Sequence, residues 1–302
     1  MKKIVLILIC VLLFNSLLIF TLDKNTTKFN NDHRSIDNTE KNLNWDIDAV
    51  KYNEKCDIEK KYRPTVVFID TGDINKELEI LEYSVVPKSV QNKGSNHASI
   101  VIGKFQQLNN FSNMVYIKVS NNDTIEYKHL LKAIEKAIDI KPDIISMSIG
   151  TMRNYMKIKS IVAEAVKNNI IIIASAGNSG LDLMYPANYE GVISVMARDI
   201  NNIDCFYNNK SEIKKSFSAP GEYVYVDGES ISGTSIAVTY VTALVTKMIT
   251  CTGKNKLSFE KIVNILKISA SKSNRYSYGL IQFDRALYLT GLSNYFSKAI
   301  VY

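Results

Sequence analysis

The chain has 302 residues, of which 46% are hydrophobic and 22% charged, with only 13 glycines and 5 prolines. This balance is typical of a folded globular protein and excludes collagen-like, low-complexity and disordered chains. The net charge is +7, but the basic residues are spread along the chain without a basic stripe or a nucleic-acid-binding module. We therefore expect no nucleic-acid partner.

The four cysteines are Cys10, Cys56, Cys205 and Cys251. They show no Cys-x-x-Cys spacing and no neighbouring histidine, which argues against a zinc site. Because Cys10 lies in an apolar run, at most one disulfide could join two of the other three. The sequence leaves open whether that bond forms.

The N-terminus is apolar from residue 4 to residue 22 and is preceded by Lys2 and Lys3. Its length is close to the ~20 residues that a helix needs to cross a bilayer, and no small-x-small cleavage site follows. We predict that residues 1–22 are a signal-anchor, with the lysines in the cytoplasm and the rest of the chain outside. A cleaved signal peptide is the alternative, and it would also export the domain.

Residues 23–61 are polar and rich in Asn, Asp and Lys, which predicts a stalk or a short pro-region. From about residue 62, continuous apolar runs predict β-strands at 65–69, 114–119, 144–147, 170–174 and 192–196. Periodic or long apolar stretches predict helices at 125–138, 158–166 and 236–249. Uniformly apolar strands that alternate with helices predict one α/β domain over residues 62–302, doubly wound, with helices on both faces of a mostly parallel sheet.

Four segments place a chemically active side chain at a strand end or a helix start: those of Asp70, His97, Asn178 and Ser235. In such a sheet, functional side chains gather at the carboxyl ends of the strands. Each residue also has an ordinary structural interpretation: a turn carboxylate, a structural histidine, a left-handed turn residue and a helix cap, respectively.

The chain contains only two other histidines. His33 falls in the predicted stalk, and His129 lies between Lys128 and Leu130 on a charged helix, where we predict a surface position. His97 is therefore the candidate base if the domain uses an imidazole.

The chain order Asp, His, Asn, Ser is that of subtilisin-type sites. The sequence resembles the subtilase family of serine proteases at four motifs: Asp70-Thr71-Gly72, the segment around His97, Ala176-Gly177-Asn178 and Gly233-Thr234-Ser235. Four shorter stretches also resemble the family: Ser148-Ile149-Gly150, Tyr185-Pro186-Ala187, Ala219-Pro220-Gly221 and 279–284. Together the matching segments extend over about residues 64–290.

The resemblance implies a subtilisin-like fold and a role for each motif. Ser235 would attack the scissile carbonyl, His97 would accept and return the proton, and Asp70 would hold the imidazole. Asn178 and the Ser235 N–H would bind the oxyanion. The stretch of Ser148, Ile149 and Gly150 is similar to the substrate-binding strand of the family.

The resemblance also places Ser179 and Met184 at the floor of the pocket for the residue before the cut. Neither is acidic, and Met184 stands where the family often has glycine, so we expect a shallow, neutral pocket. Two residues depart from the family pattern: Ala98 follows the histidine in place of glycine, and Thr239 stands in place of proline.

The expected function is an extracytoplasmic, membrane-anchored serine endopeptidase that acts on a peptide or protein. Its size and single anchor are similar to those of subtilases that trim the leader from lantibiotic-type peptides. No cofactor is required for this chemistry; calcium is frequent in the family, but the sequence assigns no ligands. An inactive subtilase that serves as a binding or regulatory protein is the alternative, which the presence of all four site residues disfavours.

Overall fold

The computed structural model describes residues 44–53, 62–87, 94–122, 124–253 and 257–299, with side chains up to residue 291. The strands in chain order are β1 Thr65–Thr71, β2 Leu81–Ser84, β3 Asn113–Ser120, β4 Ile144–Met147, β5 Ile171–Ser175, β6 Val192–Arg198, β7 Ser216–Pro220, β8 Val224–Val226, β9 Glu229–Ile231 and β10 Ser277–Leu280. The helices are α1 Trp45–Ala49, α2 His97–Leu108, α3 Tyr127–Asp139, α4 Met156–Lys167, α5 Thr234–Thr252, α6 Phe259–Ser269 and α7 Phe283–Ala299.

Eight strands form one sheet in the order β10-β7-β6-β5-β4-β1-β3-β2, and each neighbouring pair runs parallel. β8 and β9 form a separate antiparallel hairpin. The sheet order reverses around β1, since β1 lies between β4 and β3. The carboxyl ends of β1, β4 and β5 therefore meet at one edge, where ligands bind in open α/β sheets.

Both faces of the sheet are covered, which explains the continuous apolar runs of β1 and of β3 to β6. Successive side chains of β1 alternate: Val66 and Phe68 join the core that contains α2 and α5, whereas Val67 and Ile69 join the core that contains α3 and α4. Among the described helices, α5 alone is long and apolar enough to cross a membrane. Because 83% of that stretch is buried inside the domain, it is the central helix of the core.

The five predicted strands and three predicted helices are confirmed as β1, β3 to β6, α3, α4 and α5. His129 differs from its expected surface position. It is 6% exposed on α3, because its side of the helix also carries Leu130 and Ala133 into the core.

The segment 44–53 packs on the domain, although it falls within the range 23–61 that predicted a stalk. It contains α1, and its Trp45, Asp46 and Val50 are buried. The domain therefore includes residues well before position 62, because apolar side chains in this polar stretch reach the main core. The predicted membrane helix and Cys56 lie outside the described residues.

Candidate active site

Asp70 and His97 meet at the carboxyl edge of the sheet. Asp70 lies near the end of β1 and is 2% exposed, while His97 is the first residue of α2 and is 23% exposed at its side chain. His97 Nδ1 lies 2.8 Å from Asp70 Oδ1. A carboxylate at this position accepts a hydrogen bond from the Nδ1–H, which makes Nε2, on the opposite side of the ring, the basic nitrogen.

Groups at the end of β1 and on β3 hold Asp70 in place. The Thr71 N–H donates to Asp70 Oδ1 at 2.7 Å. The Tyr116 hydroxyl donates to the carbonyl oxygen of Gly72 at 2.7 Å and lies 3.4 Å from that of Asp70. Burial, and then the Asp70 charge, raises the pKa of Tyr116 above its usual value, so this tyrosine remains a neutral donor.

Ser235 lies in the first turn of α5, as the sequence predicts. Its Oγ donates to the carbonyl oxygen of Ser148 at 3.0 Å, and Ser148 Oγ donates back to the carbonyl oxygen of Ser235 at 2.9 Å. This reciprocal pair ties the start of α5 to the segment after β4. The helix cap is Gly233, with no side-chain capping bond, so Ser235 does not serve as the cap.

Asn178 follows β5 and faces the same helix start. Its Oδ1 accepts the Thr234 N–H at 2.8 Å and the Thr234 hydroxyl at 2.9 Å, which fixes the orientation of the amide. The Asn178 NH₂ group lies against Gly233, where an added Cβ would come within 2.9 Å of Nδ2. Gly233 also has φ +144°, so this close approach requires glycine. The exposed amide thus offers a donor beside the start of α5.

Met184 occupies the space between Gly150 of the predicted substrate-binding strand and Gly177, which precedes Asn178. A Cβ on Gly150 would lie 3.0 Å from Met184 Cβ, and a Cβ on Gly177 would lie 2.6 Å from its sulfur. Its backbone is held by a hydrogen bond from the Met184 N–H to the carbonyl oxygen of Ala176 at 3.0 Å. Nearby, Ile149 is 6% exposed and Ser179 is exposed. A side chain that entered between the two glycines would meet the thioether.

Asn209 organises the loop after Asn178, and the sequence did not reveal it. It is fully buried, and its Oδ1 accepts the N–H and the hydroxyl of Ser179 at 2.8 and 2.9 Å. Its Nδ2 donates to the carbonyl oxygen of Asp182 at 2.8 Å. An asparagine in a polar loop gives no local signal of this role, because its partners lie about 30 residues earlier.

One of the two departures from the family pattern, Thr239, has a local explanation. Thr239 is fully buried in α5, and its hydroxyl lies 3.4 Å from the carbonyl oxygen of Val101 in α2, a contact that proline could not make. Ala98 is fully buried in the first turn of α2.

Cys205 is a buried free thiol, and burial raises its pKa to about 12. Within the described ranges, no three His, Cys, Asp or Glu side chains are grouped as a metal ion would require.

Comparison with known proteins decides the family. A sequence model described as "Subtilase family" matches residues 43–280, which includes the segment 44–53 and all four motifs. The chain belongs to the subtilase family. This subtilase is 32% identical over 147 residues to the major intracellular serine protease of Bacillus subtilis, across 43% of its own length and 44% of the relative. It is 29% identical over 223 residues to subtilisin DY of Bacillus licheniformis, across 66% of its length and 80% of the relative.

The fold of this subtilase also resembles that of a solved lanthipeptide protease. The TM-score is 0.69 at 19% identity, with 82% of this chain and 95% of that chain covered. At this identity, the likeness shows a shared subtilisin-like fold.

Proposed function

We propose that this subtilase is a serine endopeptidase with Ser235 as nucleophile, His97 as general base and acid, and Asp70 as the orienting carboxylate. The 2.8 Å contact between Asp70 Oδ1 and His97 Nδ1 is the observation that carries the proposal. It sets the histidine tautomer that a serine nucleophile requires.

The reaction begins with rotation of the Ser235 side chain from the Ser148 carbonyl oxygen toward His97 Nε2. As Ser235 Oγ bonds to the substrate carbonyl carbon, its proton passes to Nε2 and the carbonyl oxygen becomes an oxyanion. His97 then gives this proton to the leaving amine as the peptide C–N bond breaks. Water, activated by the same nitrogen, hydrolyses the acyl-enzyme and regenerates the Ser235 hydroxyl.

The oxyanion is stabilised by Asn178 and by the N–H of Ser235. The Thr234 donors hold Asn178 Oδ1, so its NH₂ group is preorganised before substrate binds. A single preorganised donor of this kind contributes about 3 kcal/mol to lowering the barrier. The helix dipole at the start of α5 acts in the same direction.

Active-site labelling tests these roles. A fluorophosphonate probe should label the purified protein on Ser235, as mapped by peptide mass spectrometry, and Ser235→Ala should abolish labelling. His97→Ala should also remove labelling, because the probe reacts with an activated hydroxyl. Labelling at another serine, or of Ser235→Ala, would contradict the assignment.

We further propose a precursor peptide as the substrate, with a small or medium uncharged residue before the cut. Met184 between Gly150 and Gly177 supports the pocket preference. The fold shared with a lanthipeptide protease supports the peptide class. Cleavage of a peptide library should occur after residues such as Ala or Val, and cleavage mainly after Arg or Lys would reject the pocket assignment.

The predicted signal-anchor of residues 1–22 leads us to propose a domain held outside the cell membrane. One relative is named as an intracellular protease, so family membership does not decide the compartment. The full chain should fractionate with membranes, and added protease should digest the domain on intact cells. Full-length protein in the cytosol would reject this location.

A further inference from the structure

A buried polar cluster lies behind the candidate active site. Asp46 of α1 is fully buried, and its Oδ2 lies 2.6 Å from the Nζ of Lys104, which is 3% exposed. The hydroxyl of the fully buried Tyr240 donates to the same carboxylate oxygen. Burial, and then the Asp46 charge, raises the pKa of Tyr240, which keeps it protonated as a donor.

The cluster joins the two helices that carry the proposed catalytic groups. Lys104 lies about two turns after His97 on α2, and Tyr240 lies about one and a half turns after Ser235 on α5. The helices pack on one another and touch at Thr239 and Val101. One carboxylate oxygen of Asp46 thus bridges α2 and α5 beneath their reactive ends.

A buried charge pair at this position is weak evidence of stabilisation. A buried ion pair is often no more stabilising than apolar side chains of similar volume, because both charges lose their hydration. The Oδ1 atom of Asp46 is also buried without a hydrogen-bond partner among the described residues. The cluster instead restricts the relative position of α2 and α5, since donors on the two helices must converge on one oxygen atom.

The segment 44–53 has other contacts that hold it on the domain. The Trp45 indole N–H donates to the carbonyl oxygen of Tyr223 at 3.4 Å, and Gln282 Nε2 donates to that of Ala49 at 3.0 Å. The Phe283 N–H donates to the carbonyl oxygen of Val50 at 2.8 Å. Removal of the Asp46 charge should therefore leave the segment docked.

We propose that Asp46 is a positioning residue of the protease: through Lys104 and Tyr240 it fixes α2 relative to α5, and so His97 relative to Ser235. The inference rests on the proposed triad. It predicts that a neutral residue 46 impairs the chemical step while the pocket and the docked segment remain intact.

The test compares five variants in the full chain: Asp46→Asn, Lys104→Met, the double variant Asp46→Asn/Lys104→Met, Tyr240→Phe and, as a control, Asp48→Asn. Asp48 lies on the same short helix but is exposed, so its variant makes the same charge change without touching the cluster. Values of kcat and KM on one peptide are divided by the sites that a fluorophosphonate titrates. Emission from Trp45, the only tryptophan, reports whether the segment stays docked.

Asp46→Asn and Lys104→Met should each lower kcat per titrated site about tenfold, because a displacement of about 1 Å can cost about 10²-fold in rate. KM should stay within about twofold, since the substrate pocket is unchanged. The double variant lacks the same bridge, so its kcat should also fall about tenfold and no further, because two groups that act as one unit give non-additive losses. Asp48→Asn should match the original protein throughout.

An unchanged kcat per titrated site in Asp46→Asn would overturn the proposal, whatever its melting temperature. So would a double variant whose loss equals the product of the single losses. If Asp46→Asn does not fold, Tyr240→Phe decides: it keeps the ion pair and should lower kcat about threefold, the effect of one lost hydrogen bond, and no loss would refute the idea. If the unmodified chain does not label, the proposed triad fails instead.

Discussion

Replacement of Met184 by alanine should open the pocket for the residue before the cut. The change removes Cγ, Sδ and Cε, the part of the side chain that lies against Gly150 and Gly177. Three methylene-sized groups at about 0.8 kcal/mol each correspond to about 2.4 kcal/mol of apolar contact, which a larger substrate side chain would regain. The kcat/KM ratio for Phe over Ala before the cut should therefore rise about 60-fold.

The assay uses two peptides that differ only in this residue, with initial rates measured well below KM. Met184→Leu is the matched control, since it conserves volume and should keep the ratio within about threefold of the original. Met184→Asp should instead favour Arg, because a carboxylate compensates for the hydration that the cation loses. A Phe/Ala ratio that does not change in Met184→Ala would show that Met184 is not the floor of the pocket.

Three further predictions concern other parts of the molecule. Asn178→Ala should lower kcat about 10²- to 10³-fold with little change in KM, since its amide acts chiefly in the transition state; a change in KM alone would contradict the oxyanion role. Cys205 should resist iodoacetamide at pH 8 in the native protein, because a thiol with a pKa of about 12 is only about 10⁻⁴ ionised there; mass spectrometry should find it modified only after denaturation. Trp45→Ala should lower the free energy of unfolding by about 3–5 kcal/mol, whereas Tyr288→Ala, at a residue that is 69% exposed, should change it by no more than about 0.5 kcal/mol; equal effects in chemical denaturation would show that the segment 44–53 is not part of the core.

Strands β1 and β3 to β6 could be predicted because each is buried on both faces and therefore reads as one apolar run. Strand β7 could not, because its buried sequence Ser-Phe-Ser-Ala-Pro contains no such run. Edge strand β2 could not, since most of its residues are exposed and leave no such run. The order of Asp70, His97, Asn178 and Ser235 predicted which side chains should meet, and the structure brings Asp70 to His97 and Asn178 to the start of α5.

Residues that act through distant partners gave no readable signal. Asp46 meets Tyr240 across 194 positions of sequence, and a lone aspartate in a polar stretch reads as a solvated charge. Asn209 is similar, since its hydrogen-bond partners belong to a loop about 30 residues earlier in the sequence. Local sequence patterns identify periodic apolar residues and polar residues in glycine-containing motifs. They do not identify an isolated polar residue that becomes buried in the fold.

If the proposed membrane anchor holds the protein, the docked segment limits where the domain could be released from it. A cut before residue 44 would shed a domain that keeps Trp45 in the core and Asp46 against Lys104. A cut between residues 53 and 62 would leave the segment held to the domain only by noncovalent contacts, so the two parts could dissociate on dilution. Shed, soluble enzyme with full activity should therefore carry an N-terminus upstream of Trp45.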